Sequence, residues 1–511
     1  MFSEKDLKQL SEKGISRESV HEQLENFKKG FPPIRLVAPA TPGKGIFVLE
    51  EARVQELVSH YDTLSPDLDI VKFVPASGAA TRMFKELFAW RDLLKEGRKI
   101  ADIIAADKQA AAFFDNLEAF ACHDDLTAVM KDKGIDAQQC IEQKDYLPLL
   151  NMLLDDEGLG YAMLPKGLLR FHRYPDGNRT AMEEHLVEGA NYARAETGKV
   201  KLHFTVSPEH RGRFVNHVGH VLEKWEKQFG VSFEVKFSTQ KPSTDTLAVD
   251  MQNEPFREKD GSLLFRPGGH GALLQNLNDL EEDLVFIKNI DNVVPDRLRQ
   301  QTYIYKKALG GLLIELREKS FEILSKINNN TFSESDYTEA RRFATEQLCI
   351  DSRKLPDSFE QGTKALQILL NRPMRICGMV KNQGEPGGGP FWVESPGDGS
   401  HSLQIVESSQ VNHEDTAQKE IFSQSTHFNP VDLMCSVKGF DGKAFDLTQF
   451  TDPQTGFISI KSKDGKDLKA QELPGLWNGA MAGWITVFVE VPLITFNPVK
   501  TIMDLLREEH R

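Results

Sequence analysis

Ile70-Val71-Lys72-Phe73-Val74-Pro75-Ala76-Ser77-Gly78-Ala79-Ala80-Thr81-Arg82-Met83 is the stretch from which the fold can be read. Its first six residues are a short apolar run, the mark of a buried strand. The strand feeds directly into a turn of small residues, and a helical pattern follows. A strand that opens into such a turn and then a helix lets backbone amides approach an anion at a helix N-terminus. Arg82, placed in the first helical turn, could then reach a phosphate with two parallel donors.

Outward from this stretch the chain keeps alternating. Strands are expected at 200–206, 233–238 and 284–287, with helices at 208–229 and 272–280 between them. This rhythm predicts an α/β sheet with its ligand site at the carboxyl ends of the strands. Upstream, residues 1 to about 30 read as amphipathic helix broken at Lys13-Gly14, with Ser16 as a cap for a second helix. Pro32-Pro33 ends that pattern. A helix is expected near 51–60, and from about 84 to 160 the spacing is helical throughout, at 83–94, 100–121 and 145–154. Long helices follow at about 295–328 and 335–348. Beyond residue 370 the pattern turns strand-rich. Gly387-Gly388-Gly389 does not open a helix and reads as a hairpin tip rather than a phosphate cradle.

A chain of 511 residues exceeds the size at which one core stops growing, so two or three domains are expected. The organisation expected is an N-terminal segment over 1–69 and a catalytic domain over 70–506. The helical insertion at 84–160 and a strand-rich region at 370–440 interrupt that domain. With 62 basic and 76 acidic residues the formal charge is −14, which argues against broad nucleic-acid binding. The five cysteines are scattered, with no CxxC pair, so neither a zinc site nor a disulfide framework is indicated. The charged N-terminus has no apolar signal region, and the most apolar stretch, 480–491, is too short to span a bilayer. A cytoplasmic protein without membrane or nucleic-acid partners is expected.

Five further segments carry chemistry-bearing residues. Lys166 lies between proline and glycine in Leu164-Pro165-Lys166-Gly167, where its compact charge can point at a phosphate. Gln240 and Lys241 follow a strand. Three glycines surround His270 in Pro267-Gly268-Gly269-His270-Gly271, allowing close backbone approach to a flat ligand. Asp291 follows an apolar strand in Ile287-Lys288-Asn289-Ile290-Asp291-Asn292, a place where α/β enzymes hold Mg²⁺ against phosphate oxygens. The last is the phrase Val491 to Leu506, which contains Lys500.

In their order along the chain these segments resemble the UTP–sugar-1-phosphate uridylyltransferase family, which includes the UDP-glucose and UDP-N-acetylglucosamine pyrophosphorylases. The first loop resembles that family's G-G-x-G-T-R/S-L/M, and Pro165-Lys166-Gly167 its P-K-G. Pro267 to Gly271 is similar to P-x-G-H/N-G, and Asn289 to Asn292 to N-x-D-N. Val491 to Leu506 resembles V-P-x-x-x-F-x-P-V-K-T-x-x-D-L-L nearly throughout, and Gln404 to Ser409 the family's V-E-Y/F-S strand. The chain departs from the pattern at Ser77 and Ala80, where the family keeps glycine, and in the long helical insertion between Arg82 and Lys166. The whole chain also resembles a bacterial group defined by domain of unknown function 4301.

The resemblance implies a mixed, mainly parallel α/β sheet of the nucleotide-diphospho-sugar transferase (GT-A-like) type, and formation of a UDP-sugar and pyrophosphate from UTP and a sugar 1-phosphate. It implies that the Gly78 backbone and Arg82 hold nucleotide phosphates, Lys166 neutralises the α-phosphate region, and Lys500 reaches the phosphates from the far side. Gln240 and the Gly269 backbone would read uracil, and His270 would face the sugar-nucleotide. Asp291 would bind Mg²⁺ with Asn292 beside the sugar phosphate. Thr81, Lys241 and Asn289 join them as candidate substrate contacts. Use of GTP or CTP, and a catalytically weak nucleotide-sugar-binding or regulatory role, stay open as alternatives.

Overall fold

The apolar run at 70–75 forms the strand Ile70–Pro75 in the computed structural model, which describes residues 2–78, 80–384 and 387–511. Nine strands carry the central architecture: β1 (Thr41–Pro42), β2 (Gly45–Phe47), β3 (Ile70–Pro75), β4 (Lys199–Thr205), β5 (Ser232–Ser238), β6 (Leu284–Lys288), β7 (Met374–Lys381), β8 (His427–Ser436) and β9 (Ile485–Glu490). The protein is α/β, with a large mixed sheet and many helices.

The chain divides into two compact units. The first comprises residues 1–71, 240–287 and 305–493; the second comprises 72–239, 288–304 and 494–511.

In the first unit the strand order is β1–β2–β9–β7–β8–β6. β7 runs parallel to β9, with Met374 beside Ile485 and Met379 beside Glu490, and antiparallel to β8. The N-terminal residues form two helices, Glu4–Lys13 and Arg17–Lys29. Gly14 takes φ 70° at the break, and the Ser16 hydroxyl accepts from the Ser19 amide at 3.0 Å. Leu10, Val20 and Phe27 from these helices pack on Leu247 and Val249 of strand Thr246–Val249.

In the second unit the order is β3–β4–β5, with β4 and β5 parallel from Lys199 beside Ser232 to Thr205 beside Ser238. Helix Arg211–Phe229 buries Phe214, Val218 and Trp225, one stripe at helical spacing. Helix Ala181–Tyr192 is buried almost all round and opens on a capping box between Thr180 and Glu183. The 84–160 segment is helical and joins the same hydrophobic cluster as Val74, Ala76, Ala80 and Val499, through residues such as Trp90, Phe113, Phe114 and Leu150.

Two local expectations are corrected. The span 100–121 is not one helix: it breaks into Ile100–Ala106 and Lys108–Asp115. The Asp107 carboxylate accepts from the Gln109 amide at 2.8 Å and starts the second helix afresh. Arg82 is not in the first turn of an α-helix either. Ala80–Phe84 is a 3₁₀ turn, and the α-helix begins at Lys85. Burial of Ala80, Met83 and Phe84 fixes that turn against the core. Among the described residues no helix is long and apolar enough to cross a membrane.

Candidate functional site

The second unit gathers Lys166, Asp291 and Lys500 at one point, and its local structure shows how. After β6 the chain turns at Asn289–Asn292, closed by the Asn292 amide donating to the Asn289 carbonyl at 3.2 Å. The C-terminal segment is stitched to this turn. Val499 N donates to the Asp291 carbonyl at 3.0 Å, and Asn292 forms an isolated antiparallel bridge with Pro498. The buried Asn292 carboxamide accepts from Asn497 N at 2.9 Å and donates to the Thr495 carbonyl at 3.4 Å. Both ends of this side chain therefore clamp the segment that delivers Lys500. The Asp504 carboxylate then fixes Lys500 by accepting from the amides of Lys500 and Thr501, each at 2.7 Å.

Lys166 enters from a 3₁₀ turn, Lys166–Leu168, that follows Pro165. Gly167 is needed there because a Cβ would lie 2.7 Å from the Phe214 ring and 3.4 Å from Ile290. The Lys166 Nζ donates to Asp291 Oδ2 at 2.8 Å and to the Val499 carbonyl at 2.7 Å. Lys500 Nζ donates to the same Oδ2 at 3.0 Å.

Burial pushes the Asp291 carboxyl upward, but Lys500 and Lys166 outweigh it and hold the group below its ordinary value. The carboxylate is thus ionised, and two ammonium groups face one anion. The local excess of positive charge sits in a chain whose net charge is −14. Such a cluster can receive an anion, because its cations are preorganised and a phosphate chain would offer them more oxygens than one carboxylate does. Among the described residues no group of three or more His, Cys, Asp or Glu could hold a metal by itself. Asp291 fits a divalent ion that one carboxylate and substrate phosphates hold together, as Mg²⁺ commonly is.

Behind this site lies a buried ionic cluster that the sequence reading passed over. Glu188 accepts from Lys72 Nζ and Lys288 Nζ, each at 2.8 Å, and from the Tyr192 hydroxyl at 3.1 Å. Burial lowers the Lys72 ammonium to about 7, against the pull of Glu188. His185 is held well below its ordinary value by burial and by Lys72, so it is neutral. Its Nε2 lies 3.2 Å from the Ile290 carbonyl and carries the proton toward it, bracing the Asp291 turn. The signal was present: Lys72 and Lys288 sit inside apolar strands, where a lysine must find a buried acid.

Of the first loop, Gly78, Thr81 and Arg82 are exposed, and a Cβ on Gly78 would meet nothing within 4 Å. Ala79 lies outside the described residues. The Ala80 methyl points into the core at 0% exposure, so this departure from glycine is absorbed by packing. Asn289 is half-buried.

The other candidates belong to the first unit. Lys241 pairs with Asp279 at 2.7 Å, and the Gln240 amide donates to Asp245 at 3.3 Å. Gly269 takes φ 74°, and a Cβ on Gly271 would fall 2.1 Å from the Pro474 carbonyl oxygen. The glycines of this motif therefore permit close packing of the 473–475 backbone. His270 stacks on Trp477 at 4.5 Å between ring centroids, and burial lowers its imidazole despite Glu407 and Glu472.

Comparison with solved structures returns distant likenesses. UDP-glucose pyrophosphorylase from Leishmania major, a variant in complex with UDP-glucose, is 13% identical, with 99% of this chain and 79% of that chain covered and a TM-score of 0.46. UDP-glucose phosphorylase from Trypanosoma brucei is 12% identical over 99% and 80% of the two chains, TM-score 0.43. The uridine diphosphate N-acetylglucosamine pyrophosphorylase of Trypanosoma brucei, in complex with an inhibitor, gives 12%, 99%, 79% and 0.44. No curated protein matches. The domain of unknown function DUF4301 matches residues 3–511, and the chain belongs to that family.

Proposed function

We propose that this protein is a Mg²⁺-dependent nucleotidyltransferase of the cytoplasm, which forms a UDP-sugar and pyrophosphate from UTP and a sugar 1-phosphate on a GT-A-like fold. The observation that carries the proposal is the meeting of Lys166 and Lys500 on buried Asp291, from segments 125 and 209 residues away in sequence. Surface lysines have no reason to meet, whereas phosphate ligands do. The ordered series of motifs that resembles the uridylyltransferases supports the same reading.

A sugar phosphate oxygen attacks the α-phosphorus in line, the bond to the bridging oxygen breaks, and pyrophosphate leaves. This chemistry needs position and charge neutralisation rather than a protein nucleophile. Lys166 and Lys500 move from Asp291 to the oxygens on which charge develops. Asp291, released from its lysines, would hold Mg²⁺, which would supply further charge neutralisation at the phosphates. Asn292, Asp504 and His185 keep the three groups in register.

The test is a screen for pyrophosphate release, with each nucleoside triphosphate against a set of sugar 1-phosphates, with and without Mg²⁺. Release that requires UTP, one sugar 1-phosphate and Mg²⁺ supports the reading. Release with GTP or CTP instead corrects the base. Absence of release with every pair, in protein that binds UDP-sugar, replaces the enzyme with a binding protein.

A further inference from the structure

The first unit contains an open cleft of about 900 Å³ that takes only Gln404 and Ile405 from the motifs above, a size in the range of small-molecule sites. It lies at the amino ends of β7 and β9, lined by Arg372, two residues before β7, and by Ala482 and Gly483, just before β9. Ligands of open α/β sheets sit at the carboxyl ends, so strand geometry does not explain this cleft. A branch of about 200 Å³ continues from it past Arg372, Ser395 and Ser402 toward Trp484.

Three features point to a ligand. Arg372 has no carboxylate among the described residues within ion-pair distance. Its Nε donates to the Ile368 carbonyl at 3.3 Å, one of five donors the side chain carries. Burial alone shifts this guanidinium, downward, with no counter-charge to oppose it. Next, two lining residues, 3% and 4% exposed, carry buried polar atoms without partners: Asn478 Oδ1 beside the cleft and Trp484 Nε1 beside the branch. Buried groups of this kind ordinarily find partners. Finally, the rest of the wall mixes apolar side chains such as Ile34, Val393 and Ile405 with the neutral hydrogen-bonding groups of Gln367, Gln404, Gln449 and Thr451, and has an aromatic face in Phe450. The two carboxylates on the wall are engaged: Glu394 with Arg35 at 3.2 Å, and Asp452 with the Gln454 amide at 2.9 Å.

We propose that this cleft is a binding site for a monosaccharide bearing one anionic group, with Arg372 as the anion contact. Amide and hydroxyl donors and acceptors suit ring hydroxyls, and an aromatic face suits the ring itself. One planar fork suits one phosphate or carboxylate. The inference stands apart from the reading of Lys166, Asp291 and Lys500.

Calorimetric titration of the full chain with a panel of hexose 6-phosphates and hexuronates, none of them a sugar 1-phosphate, tests it, with glucose and inorganic phosphate as reference probes. At least one panel member should bind, at least tenfold more tightly than glucose or phosphate. Preference for the hexose phosphates or for the hexuronates identifies the anion. Arg372→Gln should weaken binding at least tenfold, and Lys500→Ala should leave it unchanged. Ser402→Phe, which fills the junction of cleft and branch, should also abolish binding, and decides the matter if Arg372→Gln does not fold. No binding by any panel member overturns the proposal. So does binding that survives both cleft variants, or that is lost in Lys500→Ala and kept in Arg372→Gln.

Discussion

Lys500 Nζ and Asp291 Oδ2 stand 3.0 Å apart across 209 residues of chain, although the Lys500 side chain is 60% exposed while that of Asp291 is 8% exposed. An exposed ammonium tethered to a buried carboxylate is free to swing toward a ligand. Its partner stays in place.

That asymmetry separates activity from stability for Lys500. Lys500→Ala should lower turnover roughly a hundredfold, the scale of removing one preorganised charge donor. Stability should change by about 1 kcal/mol or less, because Lys500 is itself exposed and Asp291 keeps Lys166 as a partner. Steady-state kinetics and urea unfolding on the same preparation check both. A large loss of stability with turnover retained would make the pair structural.

Lys166 is the opposite case. Its side chain is 15% exposed and serves both Asp291 and the Val499 carbonyl. Lys166→Ala should abolish turnover and also cost about 1–3 kcal/mol, since buried acceptors lose their donor. A fully stable Lys166→Ala protein would contradict the buried geometry.

Asp291 should show itself in the pH dependence of stability. Its carboxyl is held below the ordinary value, so its contribution is present above pH about 4 and is lost as pH falls through the lower folded value. Unfolding free energies of the wild type and Asp291→Asn should differ at pH 7 and converge under acid. The same variant should lose Mg²⁺-dependent turnover.

Lys72 acts with the same sign in a higher window. A lysine lowered by burial to about 7 binds fewer protons folded than unfolded between that pH and about 10.4, so stability rises with pH through that window. Lys72→Met should flatten the rise. Unfolding titrations at pH 7, 8 and 9 would show equal slopes in the two proteins if Lys72 were in fact solvated.

Gly167 predicts a steric effect on the site. Gly167→Ala places a Cβ 2.7 Å from the buried Phe214 ring and should cost about 1–3 kcal/mol while lowering turnover by displacing Lys166. Gly212→Ala, where nothing lies within 4 Å, should be neutral or slightly stabilising. Equal behaviour of the two variants would show that Lys166 does not depend on this packing.

Much of the architecture was legible locally. The strand at 70–75, the helix pair separated at Gly14 with its Ser16 cap, and the strand–helix alternation through β4 and β5 follow from period, capping and turn chemistry. These operate within a few residues. The Asp107 cap was equally local, yet apolar spacing on both sides of it concealed the break. The six segments could be picked out one by one because each joins special backbone residues to a charged or polar group.

Which of them meet was decided by tertiary structure. Nothing near Lys166 in sequence says that it will meet Lys500. That meeting depends on the Asn292 clamp and on the Val499 amide bonding the Asp291 carbonyl. The same holds for Lys72 and Lys288, whose shared Glu188 lies 116 and 100 residues away. It holds too for Lys241, which the fold pairs with Asp279. Hydrogen-bonding periods and caps reach along the chain for one or two turns. Ion pairs across 100 residues or more leave no such trace, because only packing of the elements brings those charges within 3 Å.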